Sequence, residues 1–167
     1  MRVLAIGAHP DDIEIACSGT LAKCVKRGDK VIVCHASTGN LGHVIIPPDE
    51  LTEIRKKEAE KAGSLAGIEV IGGMFNDLDI FDNNKAARDK MVEVIKYAQP
   101  DFIITHNPDD YMPDHTAVSR LVFDASFTAT LPNYHVGGEK AAKLVPIYYM
   151  DTLAGVNFNP TEFVDIS

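Results

Sequence analysis

The segment "RVLAIGAHPDDIE" (Arg2–Glu14) changes character at its midpoint. Its first part, "RVLAIGA", is an apolar run of the kind that forms a strand buried on both faces of a parallel sheet. Its second part places one histidine and three acidic residues within six positions, just where that strand should end. Pro10 suits the first position of a helix, and Asp11, Asp12 and Glu14 suit the positive end of its dipole. That accounts for the carboxylates at about 0.3–1 kcal/mol each. It does not account for His9, a group able to carry positive charge at the wrong helix end.

Working outward, a helix is expected from about Asp11 to Arg27, stopped by Gly28. "KVIVCHAS" (30–37) reads as a second strand and "STGNLGHVIIPP" as a loop. A strong helix covers 49–67, with Leu51, Ile54, Glu58, Ala62 and Leu65 marking one face. A strand at 69–75, a helix at 83–99 closed by Pro100 and a strand at 101–106 follow. The next helix starts near Pro113 and runs to about Phe127; "PIYYMDT" (146–152) and "FVDIS" (163–167) read as further strands. This alternation predicts one α/β domain over 1–167, a doubly wound (Rossmann-like), mostly parallel sheet in three α/β/α layers. With strand order 3-2-1-4-5, strands one and four meet at the switch point, where ligands bind beyond the carboxyl ends. The loop after strand one and "HNPDDYMPDHTAVS" (106–119) would then face each other.

Composition narrows the function. A net charge of −8 argues against nucleic acid, which is held by an excess of Lys and Arg. Cys17, Cys24 and Cys34 have no CxxC spacing and read as small buried residues in a reducing compartment. The first apolar run is too short for a signal peptide, and no stretch approaches the ~20 apolar residues of a membrane span. The cytoplasm is the expected location, and self-association stays open.

A catalytic zinc site takes three protein ligands, commonly two close in sequence and one distant. His9 and Asp12, three apart on an incipient helix, can project to one side, and His115 can join them from the facing loop. Asp11, beside a ligand but pointing elsewhere, can take the proton of an attacking water. The residues alone leave other readings open. Both histidines could be structural. Asp109, Asp110 and Asp114 could hold a second metal in a phosphoesterase. A sugar-nucleotide binding module could use the same sheet, although "GAHPDD" lacks a GxGxxG and would repel phosphate.

Beyond these arguments, "AHPDDIE", "GTLAK", "STGNLG", "EIRKKEAEKAGSLAGI" and "HNPDDYMPDH" together resemble the zinc-dependent N-acetylglucosaminyl-phosphatidylinositol de-N-acetylase-like family (the LmbE-like or PIG-L proteins). The resemblance implies removal of an N-acetyl group from a small amino-sugar substrate or conjugate. It implies one zinc on His9, Asp12 and His115, with Asp11 as general base; two histidines and a carboxylate with open positions would also accept iron(II) or cobalt. It assigns Asp114 to catalytic support, and Arg55 and Gly39 to the substrate. His106 would support the site or simply pack, while His35, His43 and His135 carry no expectation. Two departures stand out. Several family members carry a histidine where this chain has Met112, which can donate no proton. Tyr111 as a catalytic residue, Asp110 at the substrate or a substrate group would have to compensate, or activity is weak. The chain also stops at "FVDIS", where members usually continue through a closing segment, so an incomplete domain is expected.

Overall fold

The computed structural model describes residues 1–138 and 140–167. Its elements run β1 (Arg2–Gly7), α1 (Asp12–Ala16), α2 (Ser18–Lys26), β2 (Lys30–Ser37), α3 (Pro48–Ala66), β3 (Glu69–Phe75), α4 (Lys85–Ala98), β4 (Phe102–His106), α5 (Pro113–Thr128) and β5 (Ile147–Met150). The five strands form one sheet in the order β3-β2-β1-β4-β5, and every pairing is parallel. β1 lies at the centre, with Ala5 opposite both Val33 of β2 and Ile104 of β4.

Alternate residues of the central strands feed two cores. Leu4, Ile6, Ile32 and Ile103 pack on Met91 and Ile95 of α4 and on Val118 and Leu121 of α5. Val3, Ala5, Val31 and Val33 face the opposite way, onto Ile13, Leu21 and Cys24. Both faces of the central strands are therefore dry, as their continuous apolar runs demand. β1 and β4 end side by side, so the loops that follow them meet.

Three expectations change. The helix expected from Asp11 to Arg27 breaks at Cys17, whose φ of −144° leaves the helical region. Cys17, Ser18 and Gly19 are weak helix formers, and the break lets α1 follow the turn after β1 while α2 lies along the sheet. On α3 the inward face is Leu51, Ala59 and Gly63, with Glu58 outside and Leu65 82% exposed. Small residues mark the contact with β3 because the helix lies close to that strand. Residues 163–167 form no strand. Ser167 N–H donates to Asp165 Oδ1 at 2.9 Å, Lys23 Nζ donates to the Asp165 carbonyl, and Ile166 lies over Gly19 of α2. Local side-chain bonding competes with a ladder there.

The β2–β3 ladder shifts register between His35 and Ser37. Gly72 sits opposite, with φ +138°, and a Cβ placed on it would lie 1.9 Å from the His35 carbonyl oxygen. No side chain fits.

Candidate metal centre

The chain leaves β1 through a turn closed on itself. Asp11 N–H and Asp12 N–H reach the His9 carbonyl at 2.9 and 3.3 Å, and His9 N–H donates to Asp12 Oδ2 at 2.7 Å. The Asp12 carboxylate, 4% exposed, is thereby folded back over the end of the strand. His106, at the end of β4, sets its Nε2 between that carboxylate (3.1 Å) and Ala8 N–H (2.9 Å).

The loop after β4 is held by a side chain. Asp110 Oδ1 accepts Met112 N–H at 3.0 Å, and Asp110 Oδ2 lies 3.1 Å from His115 Nδ1. Pro113 opens α5, which carries His115 in its first turn, stacked on His106 with ring centroids 3.8 Å apart. Asp114 Oδ2 meets His9 Nε2 at 3.1 Å and accepts Leu78 N–H at 2.8 Å.

His9, Asp12 and His115 each present a ligand atom, all within 4.8 Å of one another. These residues fit a divalent cation. The buried His115 Nε2 has no hydrogen-bond partner, although it points to Asp12 Oδ1 at 3.3 Å. Its other nitrogen is taken by Asp110. His9 repeats the pattern, with Nε2 on Asp114 and Nδ1 3.5 Å from Asp12. An outer carboxylate on one imidazole nitrogen, leaving the other free to bind, is how metal-ligating histidines are oriented.

Charge balance points the same way. Burial disfavours charge on His9, yet its bonds to Asp114 and Asp12 prevail and raise its pKa to about 10. Burial likewise opposes charge on His115, and contact with Asp12 and Asp110 raises it. Asp12, in spite of burial, is held far below the usual carboxylate range by His106, His115 and His9. His106 goes down, through burial and the neighbouring His115. The carboxylates around His9 and His115 thus favour positive charge at this point, which protons on those two imidazoles or a metal in their place would supply.

Asp11 stays outside the ligand group. Its Oδ2 accepts Arg55 Nη2 at 2.9 Å, and its side chain is 45% exposed. Arg55 therefore belongs to the site-facing side of α3. Gly39, at φ +71°, makes this possible, because a Cβ there would lie 2.9 Å from both Arg55 Nε and Pro10 Cδ. Tyr111 is exposed, with its ring centroid 6.4 Å from that of His115. Asp110, expected at the substrate, instead turns its carboxylate onto His115 and the loop backbone. Met112 caps α5. Among the described residues, the other candidate ligand group, His106, Asp110 and His115, shares His115 with the first, and neither includes Asp109 or Asp114.

A third loop, after β3, also enters the site. Asp77 bonds the glycine loop and Leu78 bonds Asp114. Sequence reasoning missed it, although "ND" (76–77) directly follows the third strand at the same end of the sheet. That position beyond a strand's carboxyl end was the available signal.

Comparison with known proteins now bears on this geometry. The sequence pattern of the PIG-L family, described as GlcNAc-PI de-N-acetylase, matches residues 4–126. The chain belongs to the PIG-L family. This PIG-L chain is 27% identical to the 4-oxalmesaconate hydratase of Pseudomonas putida over 98% of its own length and 67% of that protein's. It is 28% identical to the 1D-myo-inositol 2-acetamido-2-deoxy-alpha-D-glucopyranoside deacetylase of Corynebacterium diphtheriae, over 78% of its length and 54% of the relative's. The chain thus spans about half to two thirds of these relatives. The solved N,N'-diacetylchitobiose deacetylase of Pyrococcus horikoshii superposes with a TM-score of 0.86 at 26% identity, covering 99% of this chain and 64% of that one.

Proposed function

We propose that this protein is a zinc-dependent hydrolase that removes the N-acetyl group of an amino-sugar substrate of the N-acetylglucosamine type. One observation carries the reading: a carboxylate, Asp11, stands beside a three-residue ligand group without joining it, fixed by Arg55. The deacetylase relatives supply the reaction class.

His9, Asp12 and His115 would hold the zinc, which supplies a Lewis acid that polarises the amide carbonyl and eases deprotonation of water. Iron(II) or cobalt would suit the same donors. Asp11 accepts the water proton as the oxygen attacks the carbonyl carbon. The C–N bond then breaks, and Asp11 returns the proton to the departing nitrogen, giving acetate and a free amine. Arg55 keeps one Asp11 oxygen occupied and so aims the other. Asp110 and Asp114 hold the imidazoles of His115 and His9 in place. Met112 donates no proton, so leaving-group protonation falls to Asp11, with Tyr111 the exposed hydroxyl beside the site. Three free cysteines agree with a cytoplasmic location. Among the described residues, no helix is long and apolar enough to cross a membrane.

The hydratase relative, aligned over nearly the whole chain, supports a second reading in which the same base activates water for addition to a carbon–carbon double bond. One experiment separates the two. Zinc-loaded protein is incubated with N-acetylglucosamine, diacetylchitobiose and inositol-linked N-acetylglucosamine, scored by acetate release, and with unsaturated dicarboxylates, scored by loss of conjugated absorbance. Acetate release is expected. Loss of absorbance with no acetate would establish the hydratase instead. Zinc analysis of His9→Ala and His115→Ala belongs to the same experiment, and full zinc in both would overturn the ligand assignment.

A further inference from the structure

Asp77 lies two residues beyond β3 and is 8% exposed. Its Oδ1 accepts Gly39 N–H at 2.9 Å and the Ser37 hydroxyl at 2.8 Å, and its Oδ2 accepts Leu41 N–H at 2.9 Å. In return, Asp77 N–H donates to Asn40 Oδ1 at 2.9 Å. One residue thus grips the whole 37–41 loop. The Ser37 hydroxyl also lies 2.9 Å from the carbonyl of Ala8, the residue before His9. Among the described residues, no Lys or Arg pairs with Asp77, and its oxygens bind backbone and hydroxyl donors. Such charge-assisted bonds are the stronger kind.

The loop that Asp77 holds is a wall of the site. Gly39 stands against the Arg55 guanidinium and the Pro10 ring. Arg55 Nε is buried with no hydrogen-bond partner, so the walls position that end of the guanidinium while Nη2 reaches Asp11. On the other side of the same turn, Leu78 takes a left-handed φ of +61° and presents its N–H to Asp114, the carboxylate that holds His9. The 77–78 turn therefore touches both chains of support, one ending on Asp11 and one on His9.

We propose that Asp77 is a positioning residue for the reaction. It clamps the glycine loop so that Gly39 confines Arg55, and Arg55 in turn aims Asp11. This rests on the deacetylase reading for its effect on turnover, though not for the clamp itself. Asp77→Asn keeps the shape but offers one acceptor oxygen where two are used, leaving at least one loop N–H facing an amide NH₂.

The test compares Asp77→Asn with wild type in zinc content, steady-state kinetics and amide hydrogen exchange. Zinc stays stoichiometric. Exchange at Gly39 and Leu41 speeds up by about tenfold, the worth of one lost hydrogen bond. kcat falls by up to about 10²-fold, the effect of a misplaced catalytic group, while KM changes little. A raised KM with unchanged kcat would mean that Asp77 holds substrate directly, and would overturn the proposal. Unchanged exchange at both amides would overturn it too. Should Asp77→Asn fail to fold, Asn40→Ala, which removes the reverse bond, is read in the same way with a smaller effect expected. If wild type releases acetate from no amide offered, the deacetylase reading fails, and the exchange rates alone decide whether Asp77 clamps the loop.

Discussion

The turn after β1 and the loop after β4 bring ligands to the same point by different means. The first is self-closing: two backbone N–H groups fall on the His9 carbonyl, and His9 N–H returns to the Asp12 side chain. The second is longer and depends on one carboxylate, Asp110, which binds both its backbone and the imidazole of His115. In the first region, a side-chain change strikes the chemistry directly while the backbone holds the geometry. In the second, geometry itself hangs on a side chain. Outside the ligands themselves, substitutions should therefore separate the two: chemistry lost with the metal kept at Asp11 after β1, and metal binding loosened at Asp110 after β4.

The largest effect is expected at Asp11. Asp11→Asn keeps the shape and the Arg55 contact as an amide, retains zinc, and lowers kcat by about 10²–10⁴, the usual worth of general acid–base catalysis. Metal analysis beside kinetics checks it, and near-normal turnover by the zinc-loaded variant would reduce Asp11 to a helix-end charge. Asp110→Asn comes next. Its zinc affinity, measured by chelator competition, should fall by about 10–100-fold, as when an outer partner of a metal ligand is removed. Saturating zinc should restore most of the turnover. An unchanged affinity would mean that α5 alone orients His115, and the contrast between the two loops would collapse. The smallest effect belongs to Leu78, which bridges toward both regions through Asp114. Its backbone occupies a left-handed conformation that costs a non-glycine residue about 1 kcal/mol, so Leu78→Gly should raise Tm by a few degrees. A lowered Tm would show that the leucine side chain packs well enough to outweigh the strain.

The architecture was legible because it rests on long apolar runs. β1 reads as a doubly buried strand and β2 and β4 as further strands, and the order 3-2-1-4-5 sets the two acidic, histidine-bearing loops side by side, as the sheet has them. Finer features were hidden for physical reasons. Large apolar side chains drew the inward face of α3 toward Leu65, whereas a helix lying close to a strand selects Ala59 and Gly63. The same rotation hid the fact that Arg55 looks inward, and only the resemblance singled it out. Asp110 read as a substrate-facing carboxylate because spacing does not tell which way a loop carboxylate turns. Asp77 sits in an acidic stretch, "NDLDIFDN", that looks like an ordinary solvated loop, and its role emerges only once the backbone of another loop is set against it. Apolar "FVDIS" has the composition of a strand, but a strand also needs an edge to join, and Asp165 turns the backbone onto its own side chain first.

Gly72 has a consequence for how this chain can change over generations. Positions open to solvent ordinarily drift, since a new side chain there meets only water. Gly72 is solvent-facing, yet the His35 carbonyl fills the place of any Cβ. Even alanine would force the two strands apart at the register shift, close to where β2 hands over to the loop that walls the site. In a library of folded variants, this outer-edge position would be as restricted as Ile6 at the centre of the sheet. A survey that scored tolerance by exposure would misjudge it.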